Sequence, residues 1–369
     1  MQSTTTSLSP AGREHAVGRL ATEELDVLVI GGGVTGAGCA LDAATRGLSV
    51  GLVEARDYAA GTSSRSSKLF HGGLRYLEQF NFGLVFEALR ERSLALNTLC
   101  PHLAQPVPFI FPLGGVRDRG YAGLGIGVYD AIGAGRGVPG HHRHLGRRKT
   151  LESFPSGKRS AIRGAIRFYE GLVDDARHTM TLARTAAHYG ALCVNSTRVT
   201  GFVREAGRVS GAQVTDLKTG DRYRIRARQI INAAGVWTDE IHEMLGGRGQ
   251  FPVRASKGVH LVVPRNRINS ATGVITRTEK SLLFIIPWGS HWIIGTTDTD
   301  WSLDLAHPAA SQTDIDYLLE QANSLLEDPL TRDDVVGVYA GLRPLLAGES
   351  DSTSKLSREH AVASPVRGL

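Results

Sequence analysis

At 369 residues the chain is long enough for two domains or one large interleaved pair, taking roughly 150 residues per domain. Hydrophobic residues make up 41% and charged residues 21%, the balance of a globular protein that buries about three quarters of its unfolded surface and needs no disulfide framework. The net charge of +6 points to anionic partners such as small phosphates or acidic lipid. Nucleic acid is set aside, because no nucleic-acid motif occurs and the aromatics are not interleaved with basic runs.

Residues 1–22 are polar and lack an apolar core, so they read as a disordered tail rather than a signal peptide. Asp26-Val-Leu-Val-Ile30 is a short apolar run ending in glycines, the pattern of a buried strand. A helix is expected over Ala37–Arg46 with Gly47 as its stop, then a second strand over Leu48–Val53 ending at Glu54. This is a complete βαβ unit and predicts a parallel sheet covered by helices. Helical spacing follows over 82–99, prolines break the chain from Pro101 to Pro112, and residues 140–149 are strongly basic. Another helix is expected from Asp175 to Tyr189, a strand over Ala191–Val194, and hairpin material over Arg198–Ile231. From 251 to 300 strands dominate, among them Val259–Val263, Leu282–Pro287 and Trp292–Gly295. No run of about 18 apolar residues offers a spanning helix. Cys39, Cys100 and Cys193 are far apart and form no CxxC, which favours a reducing compartment and argues against a zinc site or any other bound metal.

Gly31-x-Gly33-x-x-Gly36 stands directly after one strand and opens a helix. Gly31 permits the tight turn, Gly33 lets backbone approach a pyrophosphate, and Gly36 lets helix and strand pack closely. The helix N-terminus offers free N–H groups to that pyrophosphate, and Glu54 can accept hydrogen bonds from a ribose diol. The same acid argues against an NADP-type 2′-phosphate. Between FAD and NAD, Thr62-Ser-Ser-Arg-Ser-Ser-Lys68 bears on the choice, since its hydroxyls and N–H groups could lie along the phosphates towards a flavin.

The run Gly61-Thr-Ser-Ser-Arg-Ser-Ser-Lys-Leu-Phe-His-Gly-Gly-Leu-Arg-Tyr-Leu-Glu78 resembles the FAD-dependent glycerol-3-phosphate dehydrogenases almost letter for letter. The resemblance continues, in family order, through Gly171-Leu-Val-Asp-Asp-Ala-Arg177, Asn232-Ala-Ala-Gly-Val-Trp237, Lys257-Gly-Val-His260, Ile286-Pro-Trp288 with Ile294-Gly-Thr-Thr-Asp298, Gly341-Leu-Arg-Pro-Leu345 and Ser357-Arg-Glu-His360. It thus covers nearly the whole chain from residue 25 onward.

What the resemblance implies is an α/β protein: a Rossmann-like FAD-binding domain interleaved with an α+β substrate-binding cap whose sheet is mainly antiparallel. The expected FAD segments are 23–100, 171–250 and 335–369, and the cap segments 101–170 and 251–334. Implied cofactor contacts are Gly31, Gly33, Gly36, Glu54, Thr62, Ser63, Ser67, His71, Gly72, Val199, Ala234 and Gly235. The implied reaction is hydride transfer from the secondary carbon of sn-glycerol 3-phosphate to FAD, giving dihydroxyacetone phosphate, with electrons passed to a quinone. By motif position Arg75, Tyr76, Lys257, His260 and Arg343 line the substrate site. Guanidinium groups suit a phosphate dianion, since each gives two parallel hydrogen bonds. His260 and His71 are the candidate bases, because imidazole titrates near working pH; Trp237 and Trp288 are candidate walls. Val259 replaces the family's usual Ser, so that hydroxyl's hydrogen bond is expected to be missing.

The family continues into a Gly-Gly-Lys-x-Thr-Thr segment and a helical C-terminal domain, and the chain ends at Leu369 before both. The expected setting is cytoplasmic, peripheral to the inner face of the plasma membrane, with residues 141–149 available to anionic lipid and room for a homodimer. Three alternatives stand beside this reading: an oxidase using oxygen on the same fold, an amine or amino-acid oxidase, and a shortened remnant that binds flavin without turnover.

Overall fold

The structure, a computed structural model, describes residues 8–73, 81–114, 142–246, 252–278, 282–347 and 360–369. In chain order the first part comprises α1 (Pro10–Thr22), β1 (Glu24–Ile30), α2 (Val34–Thr45), β2 (Val50–Val53), β3 (Leu69–Phe70), α3 (Phe82–Leu94) and β4 (Ala104–Leu113). Then follow β5 (Arg143–Gly146), α4 (Arg147–Ser153), β6 (Gly164–Val173), α5 (Asp175–His188), β7 (Leu192–Val194), β8 (Thr197–Glu205), β9 (Arg208–Asp216) and β10 (Arg222–Asn232). The last part holds α6 (Thr238–Glu243), β11 (Val253–Pro264), β12 (Gly273–Arg277), β13 (Leu282–Trp288), β14 (His291–Gly295), β15 (Thr299–Asp300), α7 (Gln312–Asn323) and β16 (Gly337–Leu346).

Two sheets organise these elements. The first runs β7-β2-β1-β10-β9-β8, with β7, β2, β1 and β10 parallel and β10, β9, β8 an antiparallel meander. Its central strands are buried throughout, as in Val50–Val53 and Leu28–Ile30, because helices cover both faces. On one face α2 and α5 meet through Ala37, Ala40, Ala43, Ala44, Ala183, Ala186 and Ala187, whose small side chains let the helices approach closely. The second sheet runs β15-β11-β14-β13-β12-β4-β6-β3, with β16 also on β11 and β5 also on β6. All its pairings are antiparallel except β12 with β4, so the expected α/β architecture with a mainly antiparallel cap sheet is found.

Two expectations need correction. Residues 10–22 are not a disordered tail: Ser9 caps α1 by accepting from Gly12 N, and Pro10 occupies its first turn. Arg13 gives two 2.9 Å hydrogen bonds to Asp216 of β9 and two more to Asn195 O, while Ala16 and Leu20 are buried. So few apolar positions give almost no helical periodicity, and a long-range ion pair fixes the helix instead. The boundary at 335 also shifts, since β16 pairs along its whole length with β11 in the second sheet. Among the described residues of that stretch, the segment near 366–369 returns to the first sheet, where Val209 N donates to Arg367 O, Ile230 N donates to Gly368 O, and Leu369 is buried.

Register places the chemistry. Side chains alternate faces along a strand, and in β11 Val259, Leu261 and Val263 enter the core with Trp292 and Leu318. Gly258 and His260 therefore face the other way. Opposite them on β16 stand Gly341 and Tyr339, while Ala340 joins the core.

Candidate active site

Two adjoining cavities open where the sheets meet the 54–71 segment. The first, about 450 Å³, is lined by Gly31, Gly33, Val34, Glu54, Arg56, Thr62, Ser63, Val199, Ala234, Gly235 and Trp237, among others. The second, about 330 Å³, is lined by Arg65, Ser66, Ser67, His71, Gly258, His260 and Arg343, among others. Thr62 and Pro344 border both.

The first cavity follows from the β1–α2 turn. Gly31 has φ +108, a conformation that disfavours side chains, and a Cβ there would meet Ala233 O at 2.5 Å. Gly36 does not line the cavity; a Cβ on it would lie 1.9 Å from Gly31 O, so its role is the close packing of helix on turn. Val34 N, at the start of α2, donates to Ser63 Oγ at 2.9 Å. Glu54 accepts from Gly32 N at 2.6 Å and from Arg56 N at 2.7 Å. Burial raises its carboxyl pKa in spite of those two donors.

In the second cavity His260 is almost wholly buried, at 2% exposure. Its Nε2 lies 2.9 Å from Ser67 Oγ, and Nδ1 has no partner among the described residues. The ring stacks on Tyr339. Burial above all, then the positive charges of Arg343 and Lys68, pushes the imidazole pKa down to about 3, so the ring is neutral. Arg343 donates to Thr297 O at 3.2 Å and to Thr296 Oγ1 at 2.9 Å. Gly258 makes room for it, since a Cβ there would meet Arg343 Nη2 at 2.5 Å.

The structure thus brings Gly31, Gly33, Glu54, Thr62, Ser63, Val199, Ala234 and Gly235 to one cavity, and Ser67, His71, His260 and Arg343 to its neighbour. Arg75 and Tyr76 lie outside the described residues. Gly72 is not among the lining residues; its N–H donates to Glu170 at 3.3 Å. Lys257 is turned away from both cavities: adjacent to Gly258 on the strand, it points to the opposite face, where Nζ pairs with Asp314 Oδ2 at 2.7 Å and donates to Ala309 O. It is a buried structural cation, not a cavity residue. Val259 likewise points into the core, so the replacement of Ser removes no partner from the imidazole on the opposite face. Trp237 walls the first cavity as expected, whereas Trp288 borders the cation of Lys68.

Sequence reasoning did not single out Arg65, Ser66, Lys68 or Tyr339. The first three sit inside the recognised 61–78 run, and Tyr339 lies two residues before Gly341, on the same strand face. Period-two alternation back from Arg343 would have found it.

Residues 26–364 match the model of the family described as FAD dependent oxidoreductase. The chain is 62% identical over 364 residues to glycerol-3-phosphate dehydrogenase 2 of Mycobacterium tuberculosis, covering 98% of this chain and 62% of that protein. It is 36% identical to the aerobic glycerol-3-phosphate dehydrogenase of Staphylococcus aureus, covering 98% and 66%. Among solved structures, the glycerol-3-phosphate dehydrogenase from Bacillus halodurans complexed with FAD superposes with a TM-score of 0.74 at 34% identity, covering 91% of this chain and 60% of that one. The chain therefore spans less than two thirds of the length of the curated relatives it matches.

Proposed function

This chain belongs to the FAD-dependent oxidoreductase family, and from that premise we propose that it oxidises sn-glycerol 3-phosphate at its secondary carbon to dihydroxyacetone phosphate. The observation that carries the reading is the adjacency of the two cavities: a glycine-turn pocket bearing the Glu54 carboxylate shares Thr62 and Pro344 with a pocket holding a guanidinium and a neutral imidazole.

The first cavity fits FAD. At Gly31 and Gly36 the turn leaves no room for a side chain, its helix start presents N–H groups to phosphates, and Glu54 sits where a ribose diol would compete for its oxygens. When bound, FAD supplies the hydride acceptor. Gly33, Val34, Thr62 and Ser63 would hold the diphosphate, while Ser67 and His71 extend the track into the second cavity.

There, Arg343 binds the substrate phosphate as a fixed, planar cation. The hydroxyl proton leaves towards His260 Nε2, with Ser67 Oγ as that nitrogen's immediate partner. A base depressed to about 3 is weak, chiefly because it is buried. The arriving phosphate dianion offsets the charge of Arg343, the second of the causes that depress the imidazole, and so raises its basicity, while burial, the largest cause, remains. Burial excludes water from the transferring hydride.

The reading continues to a quinone acceptor at the inner face of a membrane. Supporting it, Arg143, Arg147, Arg148 and Lys149 are each exposed, and a cation is worth about 1 kcal/mol near anionic lipid.

The test is anaerobic addition of glycerol 3-phosphate to the FAD-loaded protein, following flavin absorbance. Bleaching is expected; unchanged absorbance at saturating substrate would remove the assignment.

A further inference from the structure

The motif Gly171–Arg177 takes no part in either cavity, yet one of its residues is wired to the segment that carries Ser67. Asp175, in the first turn of α5, receives four donors. Its Oδ2 accepts from Ser66 N at 3.0 Å and Ser66 Oγ at 2.6 Å, and its Oδ1 accepts from Lys68 Nζ at 2.5 Å and Ala176 N at 2.8 Å. The capping of the helix does not need it, since Asp174 is the N-cap and accepts from Arg177 N. The carboxylate thus holds both neighbours of Ser67.

The surrounding geometry leads from these contacts to the imidazole. Lys68 has φ +58, a backbone state that residues other than glycine rarely adopt, and its N–H donates back to Ser66 Oγ. Its ammonium also donates to Ser64 O and lies 5.7 Å from the centre of the Tyr339 ring. Tyr339 OH donates to Ser66 O at 2.9 Å, and its ring stacks on His260. Backbone pairing of β3 with β6 and the bond from Val173 N to Lys68 O dock the same segment.

We propose that Asp175 is a positioning residue: by clamping Ser66 and Lys68 it fixes the Ser67 hydroxyl against His260 Nε2. The role rests on the reading of the second cavity as the site of alcohol oxidation. It accounts for the carboxylate in Asp174-Asp-Ala-Arg177 through the reaction rather than through the helix end, where Asp174 suffices.

The experiment compares Asp175→Asn, Ser67→Ala and the double variant in single-turnover reduction of the FAD-loaded protein by glycerol 3-phosphate, with a second readout that needs no substrate. Displacing a reacting group by about 1 Å costs on the order of 10²-fold in rate. Asp175→Asn is therefore expected to lower the limiting rate of reduction by that order and to leave the half-saturating substrate concentration unchanged. The double variant is expected to be no slower than Ser67→Ala alone, because the carboxylate acts through that hydroxyl. In the apoprotein, the ¹⁵N resonances of the His260 ring, identified by their loss in His260→Gln, should shift in Asp175→Asn as they do in Ser67→Ala. Lys68→Gln, which removes the Lys68 arm of the clamp and leaves the two Ser66 bonds, serves if Asp175→Asn does not fold: its limiting rate should fall in the same direction by a smaller factor, and combining it with Ser67→Ala should add no further loss. Multiplying losses in the double variant, wild-type reduction by both clamp variants, or unmoved His260 resonances would each overturn the role. A wild-type protein that glycerol 3-phosphate does not reduce defeats the functional reading alone, and the resonance shift then decides the positioning.

Discussion

The phenol ring of Tyr339 lies flat against the imidazole of His260, centroids 4.7 Å apart and planes 12° from parallel. The two residues are direct partners across β11 and β16, so the sheet register itself brings them together. The stack occupies one face of the imidazole and helps to keep it out of water, which is the main reason its pKa falls to about 3. An unfolded histidine titrates near 6.5, so between these values the unfolded chain binds a proton that the native state does not. Stability is then fully present above the unfolded pKa and declines as pH falls towards the folded one. His260→Gln should flatten the loss of melting temperature between pH 6.5 and pH 4. An unaltered slope would mean the buried imidazole takes up its proton as readily as a free one.

Arg343 is held by Thr296 and Thr297, both on the segment leaving β14, so its guanidinium is preset before any ligand arrives. Removing one partner of a close charge pair costs about 2–5 kcal/mol. Arg343→Ala should therefore raise the glycerol 3-phosphate concentration needed for half-maximal flavin reduction by on the order of 10²-fold or more. FAD content should stay near wild type, because Arg343 does not line the first cavity. Parallel loss of FAD and of substrate affinity would show that the residue supports the fold of both pockets instead.

Arg13 and Asp216 tie α1 to β9 through two hydrogen bonds, with side chains 12% and 4% exposed. Burial alone would raise the Asp216 carboxyl, but the guanidinium and the backbone N–H groups of Lys218 and Thr219 outweigh it and hold the group below its usual range. The folded form thus favours the carboxylate: this stability is present above the ordinary aspartate pKa and is lost as pH falls through the lower, folded value. Breaking a buried pair by removing one partner costs about 3–5 kcal/mol. Arg13→Met should lower the melting temperature clearly at pH 7 and by much less at pH 3. An equal deficit at both pH values would assign the loss to packing rather than charge.

What the sequence displays depends on how local the cause is. The βαβ unit was legible because strand, glycine turn, helix and acid follow one another within thirty residues, each with its own chemical signature. The Ser67–His260 and Tyr339–His260 contacts were not, since they join positions far apart: the second depends on pairing between β11 and β16, the first on the docking of the 66–70 segment against β6 and α5. Helix α1 was missed for the same reason: its anchor is an aspartate two hundred residues away. Motif position drew attention to the strand carrying Lys257 and His260, yet it cannot tell which strand face a residue takes. There alternation decides, and it sends His260 to the cavity and Lys257 to the other side.

That separation is testable on Lys257 itself. Its ammonium is paired with Asp314 of α7 and lies 5.1 Å from the centre of the Trp301 ring, while the same aspartate completes a capping box with Ser311. Lys257→Met leaves a buried carboxylate with only Ser311 for company, and should cost about 3–5 kcal/mol of stability. A substrate lysine would instead reveal itself in affinity for the phosphate. Adding Asp314→Leu replaces the ion pair by apolar groups, a change that is often neutral or stabilising, although the lost capping box takes back about 1 kcal/mol. The double variant should thus recover most of the melting temperature and bind glycerol 3-phosphate as the wild type does. Weak substrate binding in a double variant that melts like the wild type would return Lys257 to the active site.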